Sequence, residues 1–222
     1  MNYSLLNKTL LFRGITENEI KTMLQCLGAY TKTYEKNETI YHTGDTVDYL
    51  GVVLSGSVNI ENYDVWGNRS IVSHAGVGQL FAEIYAFIPG EQLMTDVSTN
   101  EKTEVLFLYT SRLVATCSKA CSYHTKLIKN LMQIMAQKNL TLLRRTLHTS
   151  PKSIRGRLMS YFSECVKQKG NYSFTIPFNR QQLADYLSVD RSAMSNELSK
   201  MQREGILIYK KNTFEFKEIV NE

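Results

Sequence analysis

The chain has 222 residues, of which 43% are hydrophobic and 21% are charged, and this composition is typical of a soluble globular protein. Its four cysteines are too few for a disulfide scaffold, and no apolar run reaches the roughly 18 residues that a membrane-spanning helix needs. Because the N-terminal stretch also lacks the continuous apolar core of a signal peptide, we expect a cytoplasmic protein with no membrane partner.

Charge is unevenly distributed along the chain. Residues 1–115 contain 8 basic and 13 acidic side chains, residues 116–148 contain 6 basic and no acidic ones, and residues 149–222 contain 12 basic and 8 acidic ones. A basic second half is typical of a protein that binds a polyanion. The alternative interpretation is a solvated helix face that happens to be basic, and charge alone does not separate the two.

The stretch from residue 29 to residue 109 predicts a domain of short strands. Seven of the 12 glycines lie between residues 44 and 90, and Gly67-Asn68 favours a hairpin turn. Short strands separated by turn residues indicate a sandwich or barrel. The predicted strands are Tyr49–Leu54, Ser57–Asn62, Ser70–Ala75, Met94–Ser98 and Thr103–Tyr109.

A long helix is predicted for residues 111–148, which contain no proline or glycine and whose apolar residues form two adjacent stripes. One stripe can pack on the helix's own domain and the other on a partner helix. We therefore expect a homodimer through residues 121–148; burial of the helix within one chain is the alternative. The predicted dimer contacts are Leu127, Ile128, Leu131, Met135 and Leu142.

A domain boundary is predicted at Ser150-Pro151. Serine is a favourable N-cap and proline a favourable first helical residue, so a new helix is expected from Pro151 to about Lys167. The boundary divides the chain into residues 1–115, a dimerisation helix at residues 116–148, and a C-terminal domain at residues 149–222.

The C-terminal domain contains the pattern of a helix-turn-helix. Asn179, with a glutamine three residues later, predicts a capping box at the start of a first helix, residues 180–187. After a short turn, Asp190 is placed to cap a second helix over residues 191–204, which ends before Gly205. Two short helices around a tight turn form this motif.

The second helix has an apolar face, formed by Met194, Leu198 and Met201, and a polar face. The polar face presents hydrogen-bond donors and acceptors, as reading the major groove requires. A hairpin at residues 206–216, with lysines at its tip, predicts a wing that contacts phosphates. The predicted contacts to DNA are Arg180, Gln181, Arg191, Ser192, Ser195, Asn196, Lys200, Lys210 and Lys211. A helical hairpin that binds no ligand is the alternative.

Together these features resemble the Crp/Fnr family of bacterial transcription regulators. The resemblance lies in YEKNETIYHTGD at residues 34–45, YLGVVLSGSVNI at residues 49–60, GVGQLFAE at residues 76–83, the long helix and the winged helix-turn-helix. It implies an α+β fold with an N-terminal antiparallel, jelly-roll-like β-roll as effector domain, a dimerisation helix and a C-terminal winged helix-turn-helix domain. It further implies a homodimeric regulator that binds an inverted-repeat operator in double-stranded DNA and acts with RNA polymerase. No catalytic motif is visible, so we do not expect an enzyme.

The chain departs from the family pattern at the segment that binds the phosphate of a cyclic nucleotide. Nucleotide-binding members of the family follow a phosphate cassette with Gly-Glu and, about ten residues later, Arg-Ser or Arg-Ala. Those positions here are Ala82, Glu83, Leu93 and Met94, and no cation lies between Glu83 and Lys102. A buried phosphate would be left unpaired, so we expect an effector that is not a cyclic nucleotide. The candidate effector contacts are Glu83, Leu93, Met94, Leu127 and Leu131.

Cys117, Cys121 and His124 would share one face of a continuous helix. Thiolate and imidazole groups bind zinc or haem iron, and thiols sense oxidation. A haem, metal or thiol sensor on the same DNA-binding frame is therefore the alternative function, with haem or another small effector as the candidate cofactor. The structural interpretation is two buried cysteines and an exposed histidine. The family's iron–sulfur branch uses clustered N-terminal cysteines, whereas this chain has Cys26 alone in that region, so no such cluster is expected.

Overall fold

The computed structural model describes residues 3–115 and 122–216. The chain divides into two compact units, Met1–Met135 and Ala136–Glu222, and the division falls within one long helix. No helix of the described part is both long and apolar enough to cross a membrane. The helices are α1 (Tyr3–Lys8), α2 (Glu17–Cys26), α3 (Glu83–Ala86), α4 (Thr110–Val114), α5 (Ser122–Thr149), α6 (Ile154–Lys169), α7 (Arg180–Leu187) and α8 (Arg191–Arg203).

The strands form two sheets in the N-terminal unit and one in the C-terminal unit. In the N-terminal unit they are β1 (Tyr30–Tyr34), β2 (Thr39–Tyr41), β3 (Tyr49–Ser55), β4 (Val58–Tyr63), β5 (Arg69–Ala75), β6 (Leu80–Phe81), β7 (Asp96–Thr99) and β8 (Thr103–Tyr109). In the C-terminal unit they are β9 (Ser173–Thr175), β10 (Leu207–Lys210) and β11 (Thr213–Phe216).

The two N-terminal sheets form an antiparallel roll with strand orders β1-β8-β3-β6 and β2-β7-β4-β5. This confirms the predicted jelly-roll-like fold. The predicted strand at Met94 begins later, at Asp96, because the backbone of Leu93 is bound to Gly44 and Asp45 before the ladder starts. Strands β1, β2 and β6 were not predicted, since they are exposed or only a few residues long.

The first sheet separates two hydrophobic cores because successive side chains of a strand point to opposite faces. Leu106 and Leu108 of β8 join the core that includes α1 and α2, whereas Val105 and Phe107 join the core between the two sheets. Gly51 of β3 lies directly against Phe81, and a Cβ added at Gly51 would lie 2.1 Å from the Phe81 ring. The tight packing of the roll interior therefore requires glycine at this position.

The long helix begins later than predicted. The sequence predicts one helix from residue 111, but α4 ends at Val114 and Ala115 takes an extended conformation with φ −66° and ψ 139°. Residues 116–121, which include Cys117 and Cys121, lie outside the described residues. From Ser122 onward α5 is continuous to Thr149, one residue beyond the predicted end.

The helix predicted from Pro151 starts three residues later, at Ile154. Ser153 provides the N-cap, and its side chain accepts a hydrogen bond from the Gly156 N–H at 3.0 Å. Ser150 is not available as the cap because its hydroxyl donates to the Thr146 carbonyl at 2.6 Å and so belongs to the end of α5. The prediction of the start was wrong because two serines compete and only one faces the free N–H groups of α6.

The C-terminal unit is a winged helix-turn-helix with a core of α6, α7, α8 and the sheet β10-β11-β9. The predicted capping box at Asn179 is present, and Asp190 caps α8 by accepting a hydrogen bond from the Ala193 N–H. Between the helices Ser188 takes a left-handed conformation with φ 53°. The third strand, β9, was not predicted because it has only three residues.

Candidate DNA-binding surface

Helix α8 separates its apolar and polar side chains as predicted. Met194, Leu198 and Met201 are completely buried in the core of the C-terminal unit. The exposed side carries Arg191, Ser192, Asn196, Ser199 and Lys200. A helix buried on one side and polar on the other is held rigidly while its outer side remains open to a partner.

Not all predicted base-reading side chains on α8 are equally free. The Ser192 hydroxyl donates to Asp190 at 2.5 Å, and the half-buried Ser195 donates to the Arg191 carbonyl at 2.9 Å. Among the described residues, the side chains of Arg191 and Asn196 form no hydrogen bond. These two side chains therefore have the freest donors and acceptors on the outer side of α8.

Arg180, at the start of α7, lies against the wing. Its guanidinium stacks on the rings of Tyr209 and Phe214, with centroids at 4.6 Å and 5.2 Å. Burial lowers the pKa of Arg180, and no acidic side chain among the described residues pairs with it. Gln181, which is also predicted to contact DNA, donates to Asp185 at 2.8 Å. Stacking on two rings orients the Arg180 cation without neutralising it.

The wing presents both predicted lysines to solvent. Lys210 and Lys211 are exposed at the hairpin tip, where Lys211 takes a left-handed conformation with φ 56°. The hairpin is anchored because Asn212 donates to the Ile176 carbonyl at 2.9 Å. Its Tyr209 hydroxyl also lies 3.3 Å from the Ser199 hydroxyl of α8, so the wing and α8 are joined directly.

Two arginines that the sequence analysis missed hold the C-terminus of α7. Arg145 of α5 donates to the carbonyls of Asp185 and Tyr186 at 3.2 Å and 3.3 Å. Arg157 of α6 donates to the Ser188 carbonyl at 2.8 Å. Cations are favourable at a helix C-terminus, where carbonyls lack partners. The turn of the helix-turn-helix is thereby fixed to α5 and α6; spacing in the sequence offers no signal for such contacts.

The predicted effector residues are not brought together. Glu83 is 3% exposed at the start of α3, and Leu93 is 2% exposed in the core between the sheets. Met94 is 68% exposed, whereas Leu127 and Leu131 belong to the separate core beneath the helices. Hence Leu93, Leu127 and Leu131 stabilise the unit itself, and Met94 alone among these side chains is open to solvent.

Ala82 stands where nucleotide-binding members of the resembled family have glycine. It has φ 59° and ψ 5°, a left-handed conformation that non-glycine residues rarely adopt. The backbone at this turn therefore keeps the shape that a glycine would take, although the side chain is present.

The predicted dimer contacts also fall into two groups. Leu127 and Leu131 are buried in the core of their own unit, and Ile128 and Met135 pack partly against the same core. Leu142 is 58% exposed. Of the predicted set, Leu142 is therefore the exposed side chain, whereas the other four pack wholly or partly against the core of their own unit.

A different stripe on α5 is exposed. Leu140, Leu143 and Leu147 are 40%, 53% and 58% exposed and recur at spacings of three and four residues. This is the spacing of the contact stripe in paired helices. Their positions are visible in the sequence, but only their exposure in the structure shows that this stripe remains open.

The proposed ligand set around His124 is not supported by the part that the structure describes. His124 is buried, not exposed, and its Nε2 lies 2.8 Å from the Leu113 carbonyl oxygen. Cys117 and Cys121 lie outside the described residues. Within residues 3–115 and 122–216, no three histidine, cysteine or acidic side chains are grouped as metal ligands.

Two family models match the chain. The model of the cyclic nucleotide-binding domain matches residues 31–120, and that of the Crp-like helix-turn-helix domain matches residues 156–219. Among curated proteins, the cyclic AMP receptor protein of Thermus thermophilus is 24% identical over 214 residues, which cover 94% of this chain and 92% of the relative. The transcriptional activator protein FnrL of Cereibacter sphaeroides is 22% identical over 199 residues, covering 80% and 72%.

Solved structures share the fold. CprK in complex with OCPA has a TM-score of 0.61 and 15% identity, covering 90% of this chain and 91% of that chain. The c-di-GMP responsive global regulator CLP of Xanthomonas campestris has a TM-score of 0.50 and 20% identity, covering 90% and 99%. Both matched domains occur here in the same order, with the roll first and the winged helix-turn-helix second. The chain therefore belongs to the Crp/Fnr family of transcription regulators, with a DNA-binding helix-turn-helix at its C-terminal end.

Proposed function

We propose that this regulator is a cytoplasmic homodimer that binds an inverted-repeat operator and acts with RNA polymerase under control of a small effector other than a cyclic nucleotide. The observation that carries the proposal is the outer side of α8, where the side chains of Arg191 and Asn196 form no hydrogen bond within the described residues, on a helix that is capped at its N-terminus and buried along its opposite side. A recognition helix needs this combination of rigidity and free donors and acceptors.

Arg191 and Asn196 are assigned to the reading of bases. Arginine pairs with the O6 and N7 atoms of guanine, and asparagine with the N6 and N7 atoms of adenine. The two are five positions apart on α8, so they reach different base pairs when the helix enters the major groove by its N-terminus. We therefore expect each half-site to contain one guanine read by Arg191 and one adenine read by Asn196.

Phosphate contacts are assigned to cations around α8. Arg180 is oriented by Tyr209 and Phe214, and Lys210 and Lys211 project from the wing. Such contacts position the protein without reading sequence and make affinity fall as salt rises.

The dimer is assigned to the exposed leucine stripe of α5. Leu140, Leu143 and Leu147 are exposed together on one side of the helix, and an apolar stripe of this kind is stable when a second copy covers it. A two-fold axis between two copies of α5 also presents two copies of α8, which fits half-sites about one helical turn apart.

The effector is assigned to a class other than cyclic nucleotides. The position that would carry the phosphate-binding arginine is Leu93, which is 2% exposed among apolar side chains. Glu83, the carboxylate nearby in sequence, would repel a phosphate. Calorimetry with cyclic AMP and cyclic GMP should therefore show no micromolar binding. A thermal-shift screen of uncharged metabolites should identify the effector by a rise in melting temperature, because a ligand at 100 times its dissociation constant adds about 2.7 kcal/mol of stability.

Selection of sites from random DNA tests the DNA-binding proposal. The wild type should select an inverted repeat, and Asn196→Arg should change the preferred base at one symmetric pair of positions, with roughly 1–3 kcal/mol of discrimination. Lys210→Ala is the matched control, because losing a phosphate contact should weaken all sequences about equally. An unchanged motif for Asn196→Arg would show that Asn196 does not face the bases.

A further inference from the structure

Two carboxylates lie on the side of α8 that faces α6, Glu197 within the helix and Glu204 at its C-cap. Arg155, in the first turn of α6, binds both of them. Its guanidinium donates to the two oxygens of Glu204 at 2.7 Å and 3.1 Å and to one oxygen of Glu197 at 2.5 Å. Hydrogen bonds from Arg155 also lower the pKa of Glu204. One planar cation thus holds two acids from a neighbouring helix, a geometry that lysine cannot reproduce.

Lys200 lies between these acids on α8, three residues after Glu197 and four before Glu204. Side chains three and four apart on a helix are neighbours, and opposite charges at these spacings normally pair. Within the described residues, however, Lys200 forms no ion pair, and it is exposed. Both of its natural intrahelical partners are held by Arg155 instead.

We propose that Arg155 is a positioning residue for DNA binding that holds Glu197 and Glu204 away from Lys200, so that the Lys200 ammonium stays free for a backbone phosphate. This inference rests on the proposed DNA-binding role of α8. Lys200 shares the outer side of α8 with Asn196, one helical turn away, and its charge therefore lies near the DNA whenever Asn196 reads a base.

Loss of Arg155 has a defined consequence. Glu197 and Glu204, once released, pair with Lys200, and the arginine no longer offsets their two negative charges beside the phosphates. Neutralising one phosphate contributes about 0.9 to the slope of log affinity against log salt. Removing the Lys200 contact from each half-site should therefore lower the slope by about 1.8 for a dimer. A defect in folding alone would leave the slope of the active fraction unchanged.

The experiment measures affinity for the selected operator across a salt series. Arg155→Met should lower the salt slope and weaken binding by about tenfold for each half-site, the scale of one charge-assisted contact, and so by about 100-fold for the dimer. Adding Glu197→Gln and Glu204→Gln to Arg155→Met should restore most of both, because the released side chains no longer carry charge. In a Lys200→Ala background, Arg155→Met should cause little further loss.

Arg155→Lys is the second variant, for the case that Arg155→Met lowers the melting temperature. It keeps the positive charge but cannot bind both acids at once, and we expect a smaller loss of affinity in the same direction. Unchanged affinity and slope in Arg155→Met would overturn the inference. The inference would also be overturned if Arg155→Met weakens binding, the added Glu197→Gln and Glu204→Gln do not restore it, and the same weakening occurs in the Lys200→Ala background. If the wild type itself binds no selected DNA, the proposed function fails, whereas these other outcomes leave it intact.

Discussion

Replacing Leu143 by lysine should separate the dimer without unfolding the chain. Full burial of a leucine side chain is worth about 1.5–3 kcal/mol. Leu143 is 53% exposed, so about half of that value, roughly 1 kcal/mol, is still available to a partner. Two-fold symmetry doubles the effect, and Leu143→Lys should therefore cost the dimer about 2 kcal/mol, close to a 30-fold rise in its dissociation constant.

The assay is sedimentation over a concentration series, with melting curves to confirm folding. Thr141→Lys is the matched control, because Thr141 is exposed two residues earlier, on the far side of the helix. Leu131→Lys is the opposite control. Leu131 is 5% exposed in the core of its own unit, so a charge there should lower the melting temperature of the N-terminal unit.

Adding Leu147→Lys to Leu143→Lys removes a second leucine from each copy, since Leu147 is 58% exposed, and should roughly double the free-energy cost. If the double variant keeps the dissociation constant of the wild type and stays folded, the leucine stripe of α5 is not the dimer interface.

Three further predictions concern stability. Ala82→Gly should raise the melting temperature, since it relieves a left-handed alanine with φ 59° at a gain of about 0.5–1 kcal/mol; a lower value would contradict the strain. Gly51→Ala should cost about 1–3 kcal/mol, because the new Cβ meets the Phe81 ring; unchanged melting curves would exclude this clash. Burial lowers the pKa of His148, whose Nδ1 lies 2.8 Å from the Tyr186 hydroxyl. Stability should therefore fall as pH drops below about 6.5, and His148→Gln should flatten that dependence.

Local sequence signals predicted the C-terminal unit well. The capping box at Asn179 and the cap at Asp190 depend on residues three positions apart, and the spacing of Met194 and Leu198 depends only on helical periodicity. Each of these features depends on residues that are close together in the chain, so the local sequence is enough to predict it.

Features decided by distant contacts could not be predicted. Nothing in the spacing of Leu131 or Leu143 says which of the two is buried, because both fit the helical period. Likewise, Arg155 meets Glu204 across 49 residues of sequence. The start of α6 was missed for a related reason: Ser150 and Ser153 are both good caps, and tertiary geometry selects between them.

Arg145 and Arg157 bind the end of α7 through hydrogen bonds to main-chain oxygens only. Every amino acid supplies such an oxygen, so these contacts do not depend on which side chains α7 and its turn carry. The outer side of α8 can consequently change its residues, and with them the operator that is read, while the connection to α5 and α6 stays the same. The preferred operator can therefore change while such regulators diverge without loss of the contacts to α5 and α6, since side chains of α8 read the operator and main-chain oxygens make those contacts.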